Sequence, residues 1–249
     1  MINIALIGYG KMGRMIEYQA AMKGFKVQAK VDPNESNCLR TIDELTDKNI
    51  DVCIDFSHPD TAIKNMHDFA RLKLNAVIGT SGWYDNIEEI QKIVEESGIG
   101  LVYGANFSVG MNLYYQIIEH SIKLLNNVAD YDIYGYEAHH NKKADSPSGT
   151  AKELSSIIIN NSNTKKRVVY DMLNRQPEFD ELHFASIRGG TIPGTHVIGF
   201  DSFADTIEIK HTARNREGFA AGALFAAQWI SNMSGFYSFR TIFGEILNG

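Results

Sequence analysis

The chain is poor in cysteine, carries no excess of basic charge and has no long apolar run, and each shortage removes a class of function. Its two cysteines, Cys38 and Cys53, among 249 residues make no disulfide framework, which fits a reducing compartment. Cys53 sits in the apolar run Asp51-Val52-Cys53-Ile54-Asp55-Phe56, where a buried free thiol is expected rather than a reactive one. Lysine and arginine number 24 against 30 acidic residues, a formal net charge of −6, so the basic excess of a nucleic-acid-binding surface is missing. That total says nothing against an anionic small molecule, because a few placed cations set the local potential. No run approaches the roughly 20 apolar residues that span a bilayer. The chain opens directly into Ile2-Asn3-Ile4-Ala5-Leu6-Ile7 without a basic region or cleavage site, so no signal peptide is expected. There are no repeats and no low-complexity segment. What remains is an ordinary globular balance, 44% apolar and 22% charged, able to bury a core without disulfides. A soluble, cytoplasmic protein is expected.

Through the first hundred residues, short β-branched runs alternate with amphipathic stretches. Strands are predicted at Ile2–Ile7, Lys26–Val31, Asp51–Phe56, Asn75–Gly79 and Gly100–Tyr103. Helical patterns lie near Met12–Lys23, Asp60–Leu72 and Ile87–Glu96. Such alternation implies an α/β, Rossmann-type doubly wound parallel sheet, since parallel neighbours need crossover helices. The rhythm then changes: a long helix from Met111 to about Asn127, a strand over Tyr131–Glu137 and a helix after Gly149. The runs Leu182–Arg188, Thr195–Asp201 and Thr206–His211 follow as strands in succession, which predicts a second α+β domain on a mostly antiparallel sheet. The Ala/Gly-rich stretch Glu217–Ile230 is a last helix, expected to return to the first domain. The implied division assigns 1–107 and 213–249 to dinucleotide binding, and 108–212 to substrate binding and oligomerisation.

Gly8-Tyr9-Gly10-Lys11-Met12-Gly13 follows a strand and opens a helix. The glycine pattern alone is weak; placed between strand and helix it is strong, because each glycine has a steric task. The first makes the tight turn, the second lets a pyrophosphate approach the backbone, and the third lets helix and strand pack closely. The helix start then offers N–H groups to the phosphates. Asp32, about 20 residues further on, ends the second strand where an acid would bind the adenosine ribose hydroxyls. A carboxylate there favours NADH over NADPH, although Lys11 and Arg14 are close enough in sequence to help a 2′-phosphate, so NADPH stays allowed. The bland alternative is a glycine turn with a solvated aspartate. Gly79-Thr80-Ser81 and Gly104-Ala105-Asn106-Phe107 follow the fourth and fifth strands, at the carboxyl ends where open α/β sheets bind ligands. His58 in the neighbouring Ser57-His58-Pro59 reads as a loop residue or cap.

The most informative stretch is Glu137-Ala138-His139-His140-Asn141-Lys142-Lys143-Ala144-Asp145-Ser146-Pro147-Ser148-Gly149-Thr150-Ala151. Two histidines and two lysines crowd a strand end, and Ser148-Gly149-Thr150 then enters a helix. Cations facing a helix start make an anion site. A zinc site is a poor reading, because adjacent strand residues point to opposite faces and no cysteine or third histidine follows at ligand spacing; no metal is expected. The bland reading is a surface strand with a basic turn and a helix cap, for Thr150 and Glu153 have capping-box spacing.

This stretch resembles the dihydrodipicolinate (4-hydroxy-tetrahydrodipicolinate) reductase family, whose pattern runs Glu-x-His-His-x-x-Lys-x-Asp-Ala-Pro-Ser-Gly-Thr-Ala, with Ser146 as the one departure here. The resemblance extends to the nucleotide loop, Ile54–Pro59, Val77–Gly82, Asn106–Gly110, Ser186–Gly190 and Ile207–His211, nearly the whole chain, which looks like a compact member with a shortened substrate domain. It implies a cyclic imine dicarboxylate substrate, reduced by NAD(P)H at ring carbon 4 and protonated at carbon 3. His139 matches the family's proton donor and acceptor and Lys143 its second proton donor, an imidazole near its ordinary pKa and a lysine perturbed by its site suiting such a transfer. His140, Gly149 and Thr150 match substrate-holding residues, with Ser148 beside them. The resemblance also implies a homotetramer paired through the substrate-domain sheet. Aspartate, homoserine and sugar dehydrogenases share the architecture without the His-His-x-x-Lys run. A regulator that senses NADH would bind without turnover and leave Lys143 unexplained.

Overall fold

The computed structural model describes residues 1–128 and 130–248, which divide into two compact units, Met1–Asn112 with the chain from Arg216 on, and Leu113–Asn215. In the first unit, β1 (Ile2–Ile7), β2 (Phe25–Val31), β3 (Val52–Asp55), β4 (Asn75–Ile78), β5 (Gly100–Tyr103) and β11 (Gly235–Ser238) form one parallel sheet. Successive strand side chains point to opposite faces, and both faces here are covered. Ile4, Leu6, Val52, Ile54 and Val77 join one apolar core. Ala5, Ile7, Cys53, Ala76 and Ile78 join another. Near-continuous apolar strands are what a sheet buried on both sides requires.

The helices α1 (Lys11–Ala20), α2 (Pro59–Leu72), α3 (Ile87–Ser97) and α6 (Glu217–Ile230) supply the covering layers. On α1 the residues Gly13, Ile16, Gln19 and Ala20 turn inward, the three-to-four spacing of one helix face. On α6 small residues do this work: a Cβ on Gly222 would sit 1.8 Å from the carbonyl oxygen of Phe107. The strand order is β11-β5-β4-β3-β1-β2, so the connections change direction between β1 and β3. That is the place where doubly wound sheets open a crevice beyond their carboxyl ends.

The second unit holds most of α4 (Val109–Leu125), then β6 (Asp132–His139), α5 (Gly149–Asn161), β7 (Arg167–Val169), β8 (Glu181–Arg188), β9 (Thr195–Asp201) and β10 (Thr206–Thr212). Their order is β10-β9-β6-β8-β7. β10, β9 and β6 pair antiparallel, whereas the crossover through α5 makes β6–β8 parallel, as β7–β8 also is. The sheet is therefore mixed. The sequence pattern had not indicated β7, β11 or the final helix α7 (Phe239–Asn248). Strand β6 also runs two residues beyond its expected end at Glu137, which carries His139 into the sheet. Both cysteines are free and Cys53 is buried, so burial pushes its thiol pKa up. Among the described residues, no helix is long and apolar enough to cross a membrane.

Candidate active site

The nucleotide loop is built by close packing. Gly8 adopts φ +82°, and a Cβ there would lie 2.5 Å from the carbonyl oxygen of Phe56. A Cβ on Gly13 would lie 2.5 Å from the carbonyl oxygen of Gly8, whereas Gly10 faces open space. These are the three tasks expected of the glycines: a turn, a close approach for a ligand and a tight helix–strand contact. Gly10 caps α1, whose first turn holds no acid, and its N–H groups are suited to phosphate. Gly10, Lys11 and Met12 line a cleft with Phe56, Ser57, Gly79, Thr80, Ser81 and Arg216. The residues fit a dinucleotide: an open glycine, a helix start and an acid at the end of β2.

That acid is Asp32. Its Oδ2 accepts the Tyr9 N–H at 2.9 Å and its Oδ1 the Asn34 N–H at 2.9 Å. Arg14 pairs with Glu35 at 2.7 Å and lies over the Tyr9 ring, 4.6 Å from its centroid. The strand-end loops are fixed from below by the fully buried Asp55, which accepts from Ser57 N–H, Thr80 Oγ1 and Asn65 Nδ2, each at 2.8 Å. Burial pushes its carboxyl pKa up, against those three donors. Gly79 makes room for the Phe56 ring, which a Cβ would approach within 2.2 Å. In the other loop, Ala105 is exposed and Gly104 half-buried, Asn106 accepts Ser108 N–H, and the Phe107 ring is buried against Phe56 and Phe239. Phe107, buried with its carbonyl packed against Gly222, thus anchors its loop in the core. His58 caps α2, accepting the Asp60 N–H.

In the second unit, period-two alternation along β6 buries Ile133, Gly135, Glu137 and His139 on one face. His140 lies just past the strand end, half-buried, and its carbonyl accepts the Lys143 N–H. Lys143 Nζ lies 2.7 Å from Asp145. Ser148 is the N-cap of α5, its Oγ accepting the Ala151 N–H at 3.1 Å. The capping-box reading of Thr150 with Glu153 is therefore corrected, because Thr150 already lies inside the first turn. Ser148 is only 3% exposed and its hydroxyl is spent on Glu137, so of this helix start Gly149 and Thr150 are the more exposed residues.

Sequence reasoning missed what surrounds Glu137. The carboxylate is fully buried and accepts from Ser148 N–H and Oγ, Ser186 Oγ at 2.9 Å and Arg188 Nη2 at 2.8 Å. His196 Nε2 lies 3.3 Å away and His139 Nδ1 3.4 Å away. Burial opposes the charge, but hydrogen bonds from His196, Ser148 and Arg188 outweigh it and hold the carboxyl well below the usual range. Burial pushes the His139 imidazole down to about 4, against the pull of Glu137. The expectation of a histidine near its ordinary pKa is thus corrected, since the ring lies inside the sheet rather than on a surface turn. The fold also brings Glu137, His139 and His196 within 4.8 Å of one another, a ligand-like triplet that local spacing could not reveal. Both oxygens of its carboxylate are already taken and Arg188 pairs with it, so Glu137 belongs to a hydrogen-bonded network with Ser148, Ser186 and Arg188, with His196 bonded to Ser148 and His139 packed beside it. One signal was available in the sequence: Glu137 falls in the inward register of an alternating strand, where a carboxylate must have partners.

A parallel, doubly wound sheet with a glycine turn at its switch point, joined to a second α+β unit, defines a pyridine-nucleotide-dependent oxidoreductase. The chain belongs to the dihydrodipicolinate reductase family: the model of its N-terminus matches residues 2–107 and that of its C-terminus residues 110–243. It is 34% identical to the 4-hydroxy-tetrahydrodipicolinate reductase of Christiangramia forsetii over 98% of this chain and 99% of the relative. It is 37% identical to that of Staphylococcus haemolyticus, over 97% and 100% respectively. Among solved structures, the dipicolinate-bound dihydrodipicolinate reductase from Paenisporosarcina sp. TG-14 shares the fold at a TM-score of 0.80, with 19% identity over 97% of this chain and 99% of that one. An NAD(H)- and scyllo-inositol-bound scyllo-inositol dehydrogenase from Lactobacillus casei shares it more loosely, at a TM-score of 0.55 and 14% identity over 93% and 88%.

Proposed function

We propose that the protein reduces 4-hydroxy-tetrahydrodipicolinate, or its dehydrated form, to tetrahydrodipicolinate with NAD(P)H, in the route to diaminopimelate and lysine. The observation that carries this reading is the gathering of His139, the start of α5 and, through Arg188, the Lys143 loop around one buried carboxylate, in a chain of this family. Residues 1–107 and 213–249 hold the nucleotide in this reading, and 108–212 the substrate. When bound, the nicotinamide would supply hydride to ring carbon 4 of the dehydrated form; the hydroxylated form must first lose its 4-hydroxyl as water, which leaves carbon 3 to take up the proton. The protein's own residues do the rest. The N–H groups of Gly149 and Thr150 and the Thr150 hydroxyl hold a ring carboxylate, with His140 and Lys143 nearby. His139 and Lys143 deliver the proton that ring carbon 3 must take up. The neutral His139 of the free protein gains its proton more readily beside a dianionic ligand, because added negative charge raises an imidazole pKa.

Asp32 supports NADH as the preferred cofactor, and the pairing of Arg14 with Glu35 adds to this by occupying a cation that could meet a 2′-phosphate. A homotetramer paired through the second unit's sheet is supported by Ile187 and Ile207, apolar side chains left 51% and 46% exposed on β8 and β10. Free cysteines support a cytoplasmic location. The decisive assay follows the loss of reduced-nicotinamide absorbance, with substrate made in situ from pyruvate and aspartate semialdehyde by a synthase. Oxidation that depends on both precursors is expected; NADH binding without turnover would favour a nucleotide-sensing regulator instead.

A further inference from the structure

We propose that Glu137 is a positioning residue for this reduction, one carboxylate fixing both the His139 ring and the start of α5. The inference rests on the proton-transfer role given to His139 above. The Nδ1 of His139 is buried without a hydrogen-bond partner, and Oε2 of Glu137 lies 3.4 Å from it. Apo contacts of this kind are commonly long and tighten when a ligand binds. A ring nitrogen turned to a carboxylate carries the proton, which leaves the other nitrogen as the end that exchanges it. That other end, Nε2, lies beside Gly194, where φ is +152° and a Cβ would come within 3.1 Å of it. The glycine keeps this side of the ring open.

The same carboxylate holds the anion site. Its oxygens take the Ser148 N–H at 3.0 Å and the Ser148 hydroxyl, while the Ser148 oxygen accepts from Ala151. The first turn of α5 and the His139 ring are thereby referred to one fixed group. Arg188 stabilises the ionised form and, through a second bond at 2.7 Å, also holds the carbonyl of Asp145 in the Lys143 loop. The charged or titratable groups around His139 are Glu137 on β6, Arg188 on β8, His196 on β9, and Lys143 with Asp145 in the loop. His196 packs edge-on against the His139 ring with centroids 5.2 Å apart, and His211 on β10 lies electrostatically behind it. Glu137 touches no substrate in this arrangement and acts through the groups that do.

Glu137→Gln keeps the shape but can offer its amide N–H₂ to His139, reversing the tautomer. Exchanging a buried orienting carboxylate for its amide costs up to about 10⁴ in kcat where this has been measured. For Glu137→Gln the expected result is a fall in kcat of about a hundredfold or more, with the KM for NADH unchanged. Nitrogen NMR of His139 should move from the Nδ1-protonated to the Nε2-protonated ring. Glu137→Asp keeps the charge and withdraws it by one methylene, so it serves if the amide variant does not fold; there kcat should fall about tenfold and the Nδ1–H signature should weaken. A merely structural glutamate would lower the melting temperature and leave the tautomer alone, and that result, or a kcat within about twofold of wild type, overturns the proposal. A wild-type protein without reductase activity would sink the reaction reading, whereas the tautomer comparison would still decide the positioning role.

Discussion

The ammonium of Lys143 lies 2.7 Å from Oδ1 and 3.0 Å from Oδ2 of Asp145, two residues further along the loop that joins β6 to α5. Lys143 hydrogen-bonds the Asp145 carboxylate and holds its pKa below the ordinary value. With Asp145 56% exposed, such a pair contributes little to stability, at most about 1 kcal/mol, so its use is to aim the lysine. Lys143→Ala should therefore leave the melting temperature nearly unchanged and lower kcat by about a hundredfold or more. NADH affinity should hold, because the nucleotide loop is made by other residues. Asp145→Ala should fold equally well and lose several-fold in kcat. A Lys143→Ala enzyme with wild-type kcat would remove Lys143 from the chemistry.

The second prediction concerns cofactor choice. Asp32 accepts two backbone N–H groups and so is held in place where the adenosine ribose is expected, while Glu35 occupies Arg14. A lower KM for NADH than for NADPH follows. Asp32→Ser should shift the ratio toward NADPH as the repulsion of the extra phosphate is removed. Both cofactors must be compared at one ionic strength, because exposed charges are screened. A strong native preference for NADPH would mean that Lys11 and Arg14 outweigh the two acids.

Acid should destabilise the protein earlier than carboxylate titration alone would. The folded His139 pKa, about 4, lies below the ordinary 6.5, so the unfolded chain binds this proton more readily. The stability tied to the neutral ring is fully present above about pH 6.5 and is lost as the pH falls toward about 4. Glu137, whose folded pKa is also lowered, loses its contribution only below the ordinary carboxylate range of about 4.3. Between pH 7 and 5 the slope therefore belongs to histidine. Calorimetry should give a wild-type melting temperature that falls over this interval, and His139→Gln should flatten the fall. Some slope should remain, since burial also lowers the His211 pKa. An identical slope in the two proteins would place the titrating group elsewhere.

The parts of this molecule that were legible beforehand are those whose information is local. β1 is apolar at every position but Asn3 and the glycine turn follows at once, so strand, turn and helix start can be read within a dozen residues. The run from His139 to Thr150 was singled out by its local pattern together with its resemblance to the family motif. What escaped depends on partners far along the chain. Glu137 owes its charge to Ser186, Arg188 and His196, which reach it from β8 and β9, and no spacing rule links residues about fifty positions apart. The depressed His139 pKa escaped with it, because burial is a property of the assembled sheet. Short elements were lost too: β7 has three residues, and β11 is Gly-Phe-Tyr-Ser, too brief for any periodicity to be seen. The inward turn of the Ser148 hydroxyl belongs to the same group, since it answers to Glu137 and not to its neighbours in sequence.

Pyridine-2,6-dicarboxylate tests the helix-start argument most directly. It carries two carboxylates on a flat ring and should compete with the substrate. Ser148, buried and committed to Glu137 and Ala151, leaves the N–H groups of Gly149 and Thr150 and the half-buried Thr150 side chain to meet one carboxylate. Charge-assisted hydrogen bonds are worth about 1.5–3 kcal/mol each. Thr150→Val keeps the shape without the hydroxyl, so it should weaken inhibition by roughly tenfold or more. Ser148→Ala should act differently: it removes a donor from Glu137 and the cap from Ala151, so it should lower the melting temperature by the equivalent of about 1 kcal/mol as well as weakening the inhibitor. A monocarboxylate such as picolinate should bind far less tightly than the diacid and respond less to His140→Ala. If Thr150→Val leaves the inhibition constant unchanged, or if the diacid does not compete with substrate, the first turn of α5 does not hold the carboxylate and Ser148 is an ordinary cap.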